Sequence, residues 1–98
     1  MLVAETMPTF QGGNIDVFRA WCRQNLHYPA VAVDNGSEGI VSVMFVVEKD
    51  GSVSNVEVLR GVDRYLDQEA IRVVSSSPKW EPGKNRNTAV RTYIVVPI

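Results

Sequence analysis

The sequence predicts an α+β domain in which two helices cover one face of a three-stranded sheet. Two β-branched runs flank an Asp-Gly pair, which is typical of a hairpin. Two stripes of apolar residues at helical spacing predict one helix before this hairpin and one after it. A further run of β-formers near the C-terminus supplies a third strand. The order helix, strand, strand, helix, strand favours two packed layers around one core.

The central hairpin has Asp-Gly at residues 50–51. A two-residue turn at this pair sets Phe45 opposite Val56 and Val43 opposite Val58, so that apolar side chains meet on one face. A slip by one residue gives a poorer apolar match, and we therefore predict the two-residue register. The opposite face is mixed in character, as expected of a sheet that is covered on one side only.

Both predicted helices have recognisable ends. Asn14 is a suitable cap for a first helix that runs to about Leu26, and Pro29 disfavours helix shortly after it. Asp63 caps the second helix, which stops before Pro78. The expected buried positions are Ile15, Phe18, Cys22 and Leu26, widened by Val17 and Trp21, in the first helix, and Leu66, Ala70, Val73 and Val74 in the second.

The remaining stretches lack a helical period. Met1 to Gly13 is predicted to be an extended lead-in, and Asn35 to Gly39 a loop. Asn85 to Asn87 is polar and is expected to be mobile. Thr88 to Val96 is predicted to be the third strand, ended by Pro97. Because a helix joins the second and third strands, they should lie parallel in one sheet with the first between them, in the order 2-1-3.

Composition limits the possible functions. The 98 residues argue for one domain spanning the whole chain, with 1–13 as its lead-in. The formal net charge is −1 and the charges are scattered, so no nucleic-acid partner is expected. No apolar stretch is long enough to cross a membrane. No cofactor is expected.

Catalytic and metal-binding residues are not expected either. The sequence has no cluster of cysteine and histidine residues for zinc. A nucleophilic pair of Cys22 and His27 is conceivable, but Cys22 falls in an apolar stripe, where a buried thiol is usually inert. His27 is more often a surface residue than a base in such a setting. Trp80, Tyr28 and Tyr93 are the aromatic residues for which packing and binding roles both stay open.

Several short motifs occur in a characteristic order. They are Tyr28-Pro29-x-x-Ala32, Gly36-x-x-Gly39, the strand Val41-x-Val43-x-Phe45-x-Val47, Asp50-Gly51-x-Val53, Leu66-Asp67-x-x-Ala70 and Trp80-x-Pro82-Gly83-Lys84. Together they resemble the C-terminal domain of the TonB family of energy transducers. The lead-in Met7-Pro8-x-Phe10-x-Gly12-Gly13 is similar to that of Bacteroidetes versions.

The resemblance implies a periplasmic domain whose parent protein is anchored in the inner membrane. A membrane helix and a proline-rich linker, which these residues do not include, would connect it to inner-membrane motor proteins. The domain would bind the Ton box, a short extended segment of outer-membrane transporters, by strand addition, and would transmit force for nutrient import. Which transporter and which cargo stay open.

The resemblance also implies the site residues. The family's partner strand matches Thr88 to Val96, and the predicted peptide-binding residues in it are Ala89, Val90, Arg91, Thr92, Tyr93, Ile94 and Val95. A second contact segment, before the Tyr-Pro pair, matches Asn25, Leu26 and His27. On the strand, alternation predicts that Arg91 and Tyr93 lie on the outer face, beside the incoming peptide. The same edge could pair with a second copy of the chain, which would give a homodimer.

Two other functions stay open from the sequence. The resemblance also fits membrane-bound sensor proteins with a metallopeptidase domain, in which a TonB-like domain occurs at the C-terminus and would be an interaction or sensory element. The full-length gene distinguishes the sensor from the transducer. A single membrane helix with a proline-rich linker favours the transducer, and several membrane helices with a zinc motif favour the sensor. A small enzyme is disfavoured because the chain offers no convergent acid, base and nucleophile.

Overall fold

The computed structural model describes residues 4–34, 36 and 39–98. Its helices are α1 (Ile15–Asn25), α2 (Ala30–Asp34) and α3 (Arg64–Ser75), and its strands are β1 (Ser42–Val47), β2 (Val53–Arg60), β3 (Gly83–Asn85), β4 (Thr88–Val90) and β5 (Thr92–Pro97). Residues 35, 37 and 38 of the predicted loop Asn35 to Gly39 lie outside the described part, as do residues 1–3 of the predicted lead-in.

The main sheet has the order β2-β1-β5, which confirms the predicted 2-1-3 arrangement. β1 is antiparallel to both neighbours, so β2 and β5 run parallel on either side of it. The crossover between these two strands contains α3, as a parallel placement requires. The side chains of Val41, Val43, Phe45 and Val47 share one face and are buried against the helices.

The predicted helix caps are confirmed. The Asn14 side chain accepts a hydrogen bond from the Asp16 backbone N–H at 3.0 Å, and the Asp63 side chain accepts one from Leu66 at 2.8 Å. The apolar stripe of α3 is fully buried, and in α1 the buried residues are Phe18 and Cys22. Val17 does not widen the buried stripe, because its side chain lies on the exposed side of α1.

The hairpin turn differs from the predicted two-residue turn. The Glu48 carbonyl accepts from Gly51 N–H at 2.9 Å and the Glu48 N–H donates to the Ser52 carbonyl at 2.8 Å, so residues 49–51 form a three-residue loop. Gly51 has φ of +87°, which matches a type I turn followed by a left-handed residue. This loop shifts the register by one residue relative to the predicted turn.

A β-bulge restores the predicted register further along the hairpin. Val47 faces Val53, whereas Val43 faces Val58, as predicted. Between them, Phe45 stands opposite both Asn55 and the following residue, and Asn55 has φ of +51°. The predicted pairing of Phe45 with Val56 is therefore replaced by a bulge, in which two residues of one strand oppose one of the other.

The predicted third strand, Thr88 to Val96, is interrupted at Arg91. Its first part, β4, pairs with β3, and its second part, β5, pairs with β1. Arg86 and Asn87 both have positive φ and form the two-residue turn of the β3–β4 hairpin. Asn85 to Asn87, which was expected to be mobile, forms a turn that is hydrogen-bonded to Glu5 of the lead-in through Asn85 and Arg86.

The lead-in pairs with β3 and with the residue Glu81 before it through two isolated antiparallel bridges. Backbone hydrogen bonds join Thr6 to Lys84 in both directions at 2.9 Å, and Thr9 to Glu81 at 3.1 and 2.9 Å. The Glu5 carboxylate accepts from the Arg86 N–H at 2.8 Å. Extended backbone was predicted here, but this pairing partner was not.

An aromatic cluster joins the lead-in, α1 and β1. Phe10 is fully buried, and its ring centroid lies 5.0 Å from that of Phe18 and 5.2 Å from that of Trp80. The ring of Phe18 lies 5.5 Å from Phe45 and 6.0 Å from Trp21. These contacts are edge-to-face for Phe10 with Phe18, stacked for Phe18 with Trp21 and tilted for the other two, and such arrangements are favourable for aromatic side chains. The lead-in is therefore part of the core.

Candidate peptide-binding edge

The outer edge of β5 has backbone groups with no partner strand. Val41 and Ile98 exchange two hydrogen bonds, of 3.1 and 2.8 Å, so they form a narrow pair of the antiparallel ladder. Because such pairs alternate along a ladder, Ile94 also directs its backbone groups to β1, while Tyr93 and Val95 direct theirs outward. Within the described residues, no backbone hydrogen bond from another segment reaches these two residues.

Both ends of this edge are closed. At one end, Pro97 has no N–H, and its carbonyl accepts from Arg19 Nε at 3.0 Å. At the other end, the ladder is interrupted at Arg91. Tyr93 and Val95 therefore form the open stretch of the β5 edge.

The side chains on this strand alternate as the sequence predicts. Thr92, Ile94 and Val96 are buried, whereas Tyr93 and Val95 are 40% and 56% exposed. The exposed pair has its side chains on the face of the sheet that the helices do not cover. An added strand would consequently meet both an apolar surface and unpaired backbone groups.

Arg91 is less available than predicted. Its Nε donates to Glu48 Oε1 at 2.7 Å, and the same carboxylate accepts a short hydrogen bond from the Ser54 hydroxyl. The Ser54 hydroxyl and the Arg91 guanidinium hold the pKa of the Glu48 carboxyl below its ordinary value. The arginine is thus already paired across the sheet, although it lies on the predicted outer face.

The predicted residues Ala89 and Val90 belong to β4, outside the ladder with β1. Val90 pairs with Gly83 and Ala89 with Lys84. Asn85 and Thr88 flank a two-residue turn and therefore form a hydrogen-bonded pair of the ladder. Because hydrogen-bonded and non-hydrogen-bonded pairs alternate, the backbone N–H and C=O of Ala89 are directed away from β3. Ala89 thus has outward backbone groups, but the interruption at Arg91 separates it from the open stretch of β5.

The second predicted segment, Asn25 to His27, is held by α3. Arg72 donates to the Asn25 carbonyl at 2.9 Å, and the His27 N–H donates to Glu69 Oε2 at 2.5 Å. The Arg72 guanidinium lowers the pKa of the Glu69 carboxyl, against the opposing effect of burial. Asn25 and His27 are exposed, while Leu26 is half-buried and lines a small cavity together with Ile98, at the end of β5. The cavity places this segment near the Pro97 end of the edge.

Three residues near the edge were missed by sequence reasoning. Met7 of the lead-in and Ile15 of α1 line a groove beside Tyr93, Ile94 and Val95, and Arg19 closes the end at Pro97. Ile15 was assigned to the core stripe, and Met7 lies in a stretch without periodicity. Only the folded position of the lead-in brings Met7 to the strand.

Catalytic chemistry finds no support among the described residues. No group of three or more histidine, cysteine, aspartate or glutamate residues there could hold a metal ion. Burial raises the pKa of the Cys22 thiol to about 12, so the thiolate is scarce at neutral pH. No described helix has the length and apolar character needed to cross a membrane.

The fold and the open edge define a small interaction domain. The chain belongs to the family of Gram-negative bacterial TonB protein C-terminal domains, whose family model matches residues 24–98. This family is a periplasmic, non-enzymatic interaction domain that generally interacts with outer-membrane transporters. Membership confirms the predicted family, its general role in TonB-type transport and the prediction that the chain is not an enzyme. No curated protein matches the chain.

Two solved structures share the fold. Both are solution NMR structures of the Helicobacter pylori TonB C-terminal domain. The shorter form is 22% identical to this chain, with a TM-score of 0.62, and the match covers 86% of this chain and 90% of that one. The longer form is 23% identical, with a TM-score of 0.64 and coverage of 90% and 82%. These similarities confirm the predicted α+β architecture.

Proposed function

We propose that this domain binds the Ton box of outer-membrane transporters by adding it as a strand to β5. The observation that carries the proposal is the pair of outward backbone positions, Tyr93 and Val95, on an edge that described segments leave unpaired. A bare edge of this kind is a template for an extended peptide. Backbone recognition makes little demand on sequence, which suits a domain that serves several transporters.

The backbone alone provides only weak binding. Tyr93 and Val95 each offer one donor and one acceptor. At about 1 kcal/mol for each net hydrogen bond, four bonds give about 4 kcal/mol, which corresponds to a Kd near 1 mM. Ordering the peptide reduces this further. Side-chain contacts must therefore supply the rest of the affinity.

The segment Asn25 to His27 is proposed as the second contact with the transporter. Its backbone is fixed by Glu69 and Arg72, so it needs little further ordering on binding. It lies near the end of β5, where Leu26 and Ile98 line one cavity. A transporter chain that continues past the captured strand at this end would meet the exposed Asn25 and His27 next.

Force transmission is the remaining part of the proposal. We propose that an inner-membrane helix that precedes the domain, together with its motor proteins, pulls on the domain through the lead-in. Support comes from the way the lead-in is fastened, with backbone hydrogen bonds from Thr6 and Thr9 to the segment at β3 and with Phe10 in the core. A load entering before residue 4 therefore reaches the folded body directly.

The test compares two substitutions at one outward position. Val95→Pro removes an outward N–H, whereas Val95→Ala removes most of the side chain and keeps that donor. We expect the proline variant to lose binding to a synthetic Ton-box peptide, measured by NMR titration, and the alanine variant to keep measurable binding. Circular dichroism checks that both fold. A folded Val95→Pro domain that binds the peptide as the wild type does would contradict capture at this edge, and Asn25 to His27 would become the leading candidate.

Two further measurements address the natural partners. A pull-down of outer-membrane proteins on the immobilised domain should recover transporters with the wild type and fewer with Val95→Pro. The edge is also proposed to pair with a second copy of the chain at high concentration. Sedimentation equilibrium should then show a weak dimer that Val95→Pro removes, while a dimer that persists in the variant would place the contact elsewhere.

A further inference from the structure

A groove lies along the open edge, where Met7 and Ile15 approach β5 from the side of the sheet that carries the helices. It is lined by Met7, Ile15, Tyr93, Ile94 and Val95, none of which is charged. Its volume is about 220 Å³, against a share of about 30 Å³ for one water molecule in the liquid. The groove is thus large enough for a side chain.

The ladder geometry determines which residue of an added strand would reach this groove. Side chains on neighbouring strands alternate together between the two faces of a sheet. The residue opposite Ile94 points its side chain to the helix side, where Met7 and Ile15 lie. Residues opposite Tyr93 and Val95 point to the other face of the sheet.

We infer that the groove is a selectivity pocket for one apolar side chain of the captured peptide, at the position opposite Ile94. This inference rests on the proposed strand addition at β5. Met7 and Ile15 act as specificity-determining residues, because they form the wall that the sheet itself does not provide. Met7 is 45% exposed, so a captured side chain has apolar surface to cover.

The chemistry of the groove excludes charged side chains. A carboxylate placed there would lose water contacts and find no partner among the lining residues. The guanidinium of Arg19, whose Nε donates to the Pro97 carbonyl at 3.0 Å, is not among the residues that line the groove. A medium-sized aliphatic residue such as leucine or valine fits the apolar lining, and serine would gain little from it.

The experiment uses three short peptides of otherwise identical, threonine-rich sequence with leucine, serine or aspartate at a central position. Binding is followed by NMR titration of the whole chain, which detects millimolar affinities. We expect the leucine peptide to bind about tenfold or more tightly than the serine peptide, as one apolar group in a fitted pocket contributes. The aspartate peptide should bind more weakly than the serine peptide.

The variants Met7→Gln and Met7→Leu isolate the groove. Met7→Gln should reduce the preference for leucine over serine severalfold and leave serine binding unchanged, while Met7→Leu should retain the preference. Leu59→Gln is the matched control, because Leu59 is 56% exposed on β2, the strand at the other edge of the sheet. It should retain the full preference.

The possible results separate this inference from the proposed function. If Val95→Pro abolishes binding of all three peptides but Met7→Gln leaves the preference intact, the pocket is wrong and the edge stands. An aspartate peptide that binds the wild type as tightly as the leucine peptide also overturns the pocket. If a folded Val95→Pro binds the leucine and serine peptides as the wild type does, capture at the edge is itself wrong.

Discussion

The substitution Gly51→Ala tests how the β1–β2 turn is fixed to the rest of the fold. Gly51 has φ of +87°, and its carbonyl accepts from the Trp80 backbone N–H at 2.8 Å. A Cβ built on Gly51 would overlap the Trp80 carbonyl oxygen and would lie 3.1 and 3.2 Å from the Trp80 carbonyl carbon and nitrogen. These are backbone atoms, so a side-chain rotation cannot relieve the overlap.

The cost follows from three contributions. The left-handed conformation costs an alanine about 1–2 kcal/mol. Displacing the turn breaks the hydrogen bond to Trp80, which contributes about 1 kcal/mol. The indole of Trp80 is 5% exposed and lies 5.7 Å from the ring of Phe45, so movement of its backbone also disturbs core packing. We expect Gly51→Ala to lower the free energy of unfolding by about 3 kcal/mol or more.

Gly12→Ala is the matched control. Gly12 has φ of +78°, but a Cβ there meets no atom within 4 Å. This variant should show the conformational cost alone, about 1–2 kcal/mol. Urea unfolding of both variants, followed by circular dichroism and by Trp80 fluorescence in a Trp21→Phe background, gives the difference. If Gly51→Ala lies within about 0.5 kcal/mol of Gly12→Ala, which is the range of ordinary surface changes, the turn is not held against Trp80 as described.

Three other outcomes are expected. Phe45→Ala should lower the free energy of unfolding by about 3–5 kcal/mol in urea melts, because its side chain is fully buried. The Cys22 thiol should not react with Ellman's reagent at pH 8 until the protein unfolds, because burial raises its pKa to about 12. Arg72 lowers the folded-state pKa of Glu69 below the ordinary value, so the stability that this carboxylate contributes is present above about pH 4.3 and is lost as the pH falls through the lower folded value. Glu69→Gln should remove that part of the acid dependence, measured as urea stability between about pH 5 and pH 3.

Each of these outcomes has a direct contradiction. If Phe45→Ala lowered the free energy of unfolding by less than about 1 kcal/mol, Phe45 would not be a core residue. Val95→Ala is the matched control, because Val95 is exposed on β5. Rapid labelling of the native Cys22 thiol would contradict its burial. A Glu69→Gln profile parallel to that of the wild type would mean that the pKa of Glu69 is the same in the folded and unfolded states.

The helices and the strand order follow from local sequence. Asn14 and Asp63 cap α1 and α3 because their side chains satisfy backbone N–H groups within three residues of themselves. The apolar residues of α3 recur at helical spacing, which places them on one face of the helix and predicts that this face is buried. The order 2-1-3 follows from chain connectivity and handedness. These features need no knowledge of distant contacts.

The hairpin register depends on a distant contact and was predicted only in part. Asp50-Gly51 fits both a two-residue turn and a type I turn followed by a left-handed glycine. The structure has the second, in which Gly51 meets Trp80, about thirty residues away in sequence. The bulge at Asn55 then returns Val43 to its predicted partner, Val58. The two local changes thus offset each other at Val43 and Met44, and a second irregularity shifts the register again at Ser42, which faces Arg60.

The candidate site was also predicted only in part. The free edge of β5 was predicted from topology, and alternation correctly placed Tyr93 outside and Ile94 inside. The interruption at Arg91 was not predicted. It arises because the residues before Arg91 pair with β3, and β3 lies in a short segment rich in turn-forming residues that does not have the sequence pattern of a strand. The contribution of Met7 could not be predicted, since nothing in its own surroundings indicates where the lead-in runs.

The position of Phe10 has a consequence for where such a domain is cut from its parent gene. The family match begins at residue 24, near the C-terminal end of α1, whereas the aromatic cluster includes Phe10 and Phe18 before that boundary. A recombinant fragment designed on the family boundary would uncover Trp80 and Phe45 and leave β3 as an unprotected edge. For expression, chimeras or domain shuffling between transducers, the exchangeable unit is therefore longer than the segment that sequence comparison marks, and its start lies in the lead-in.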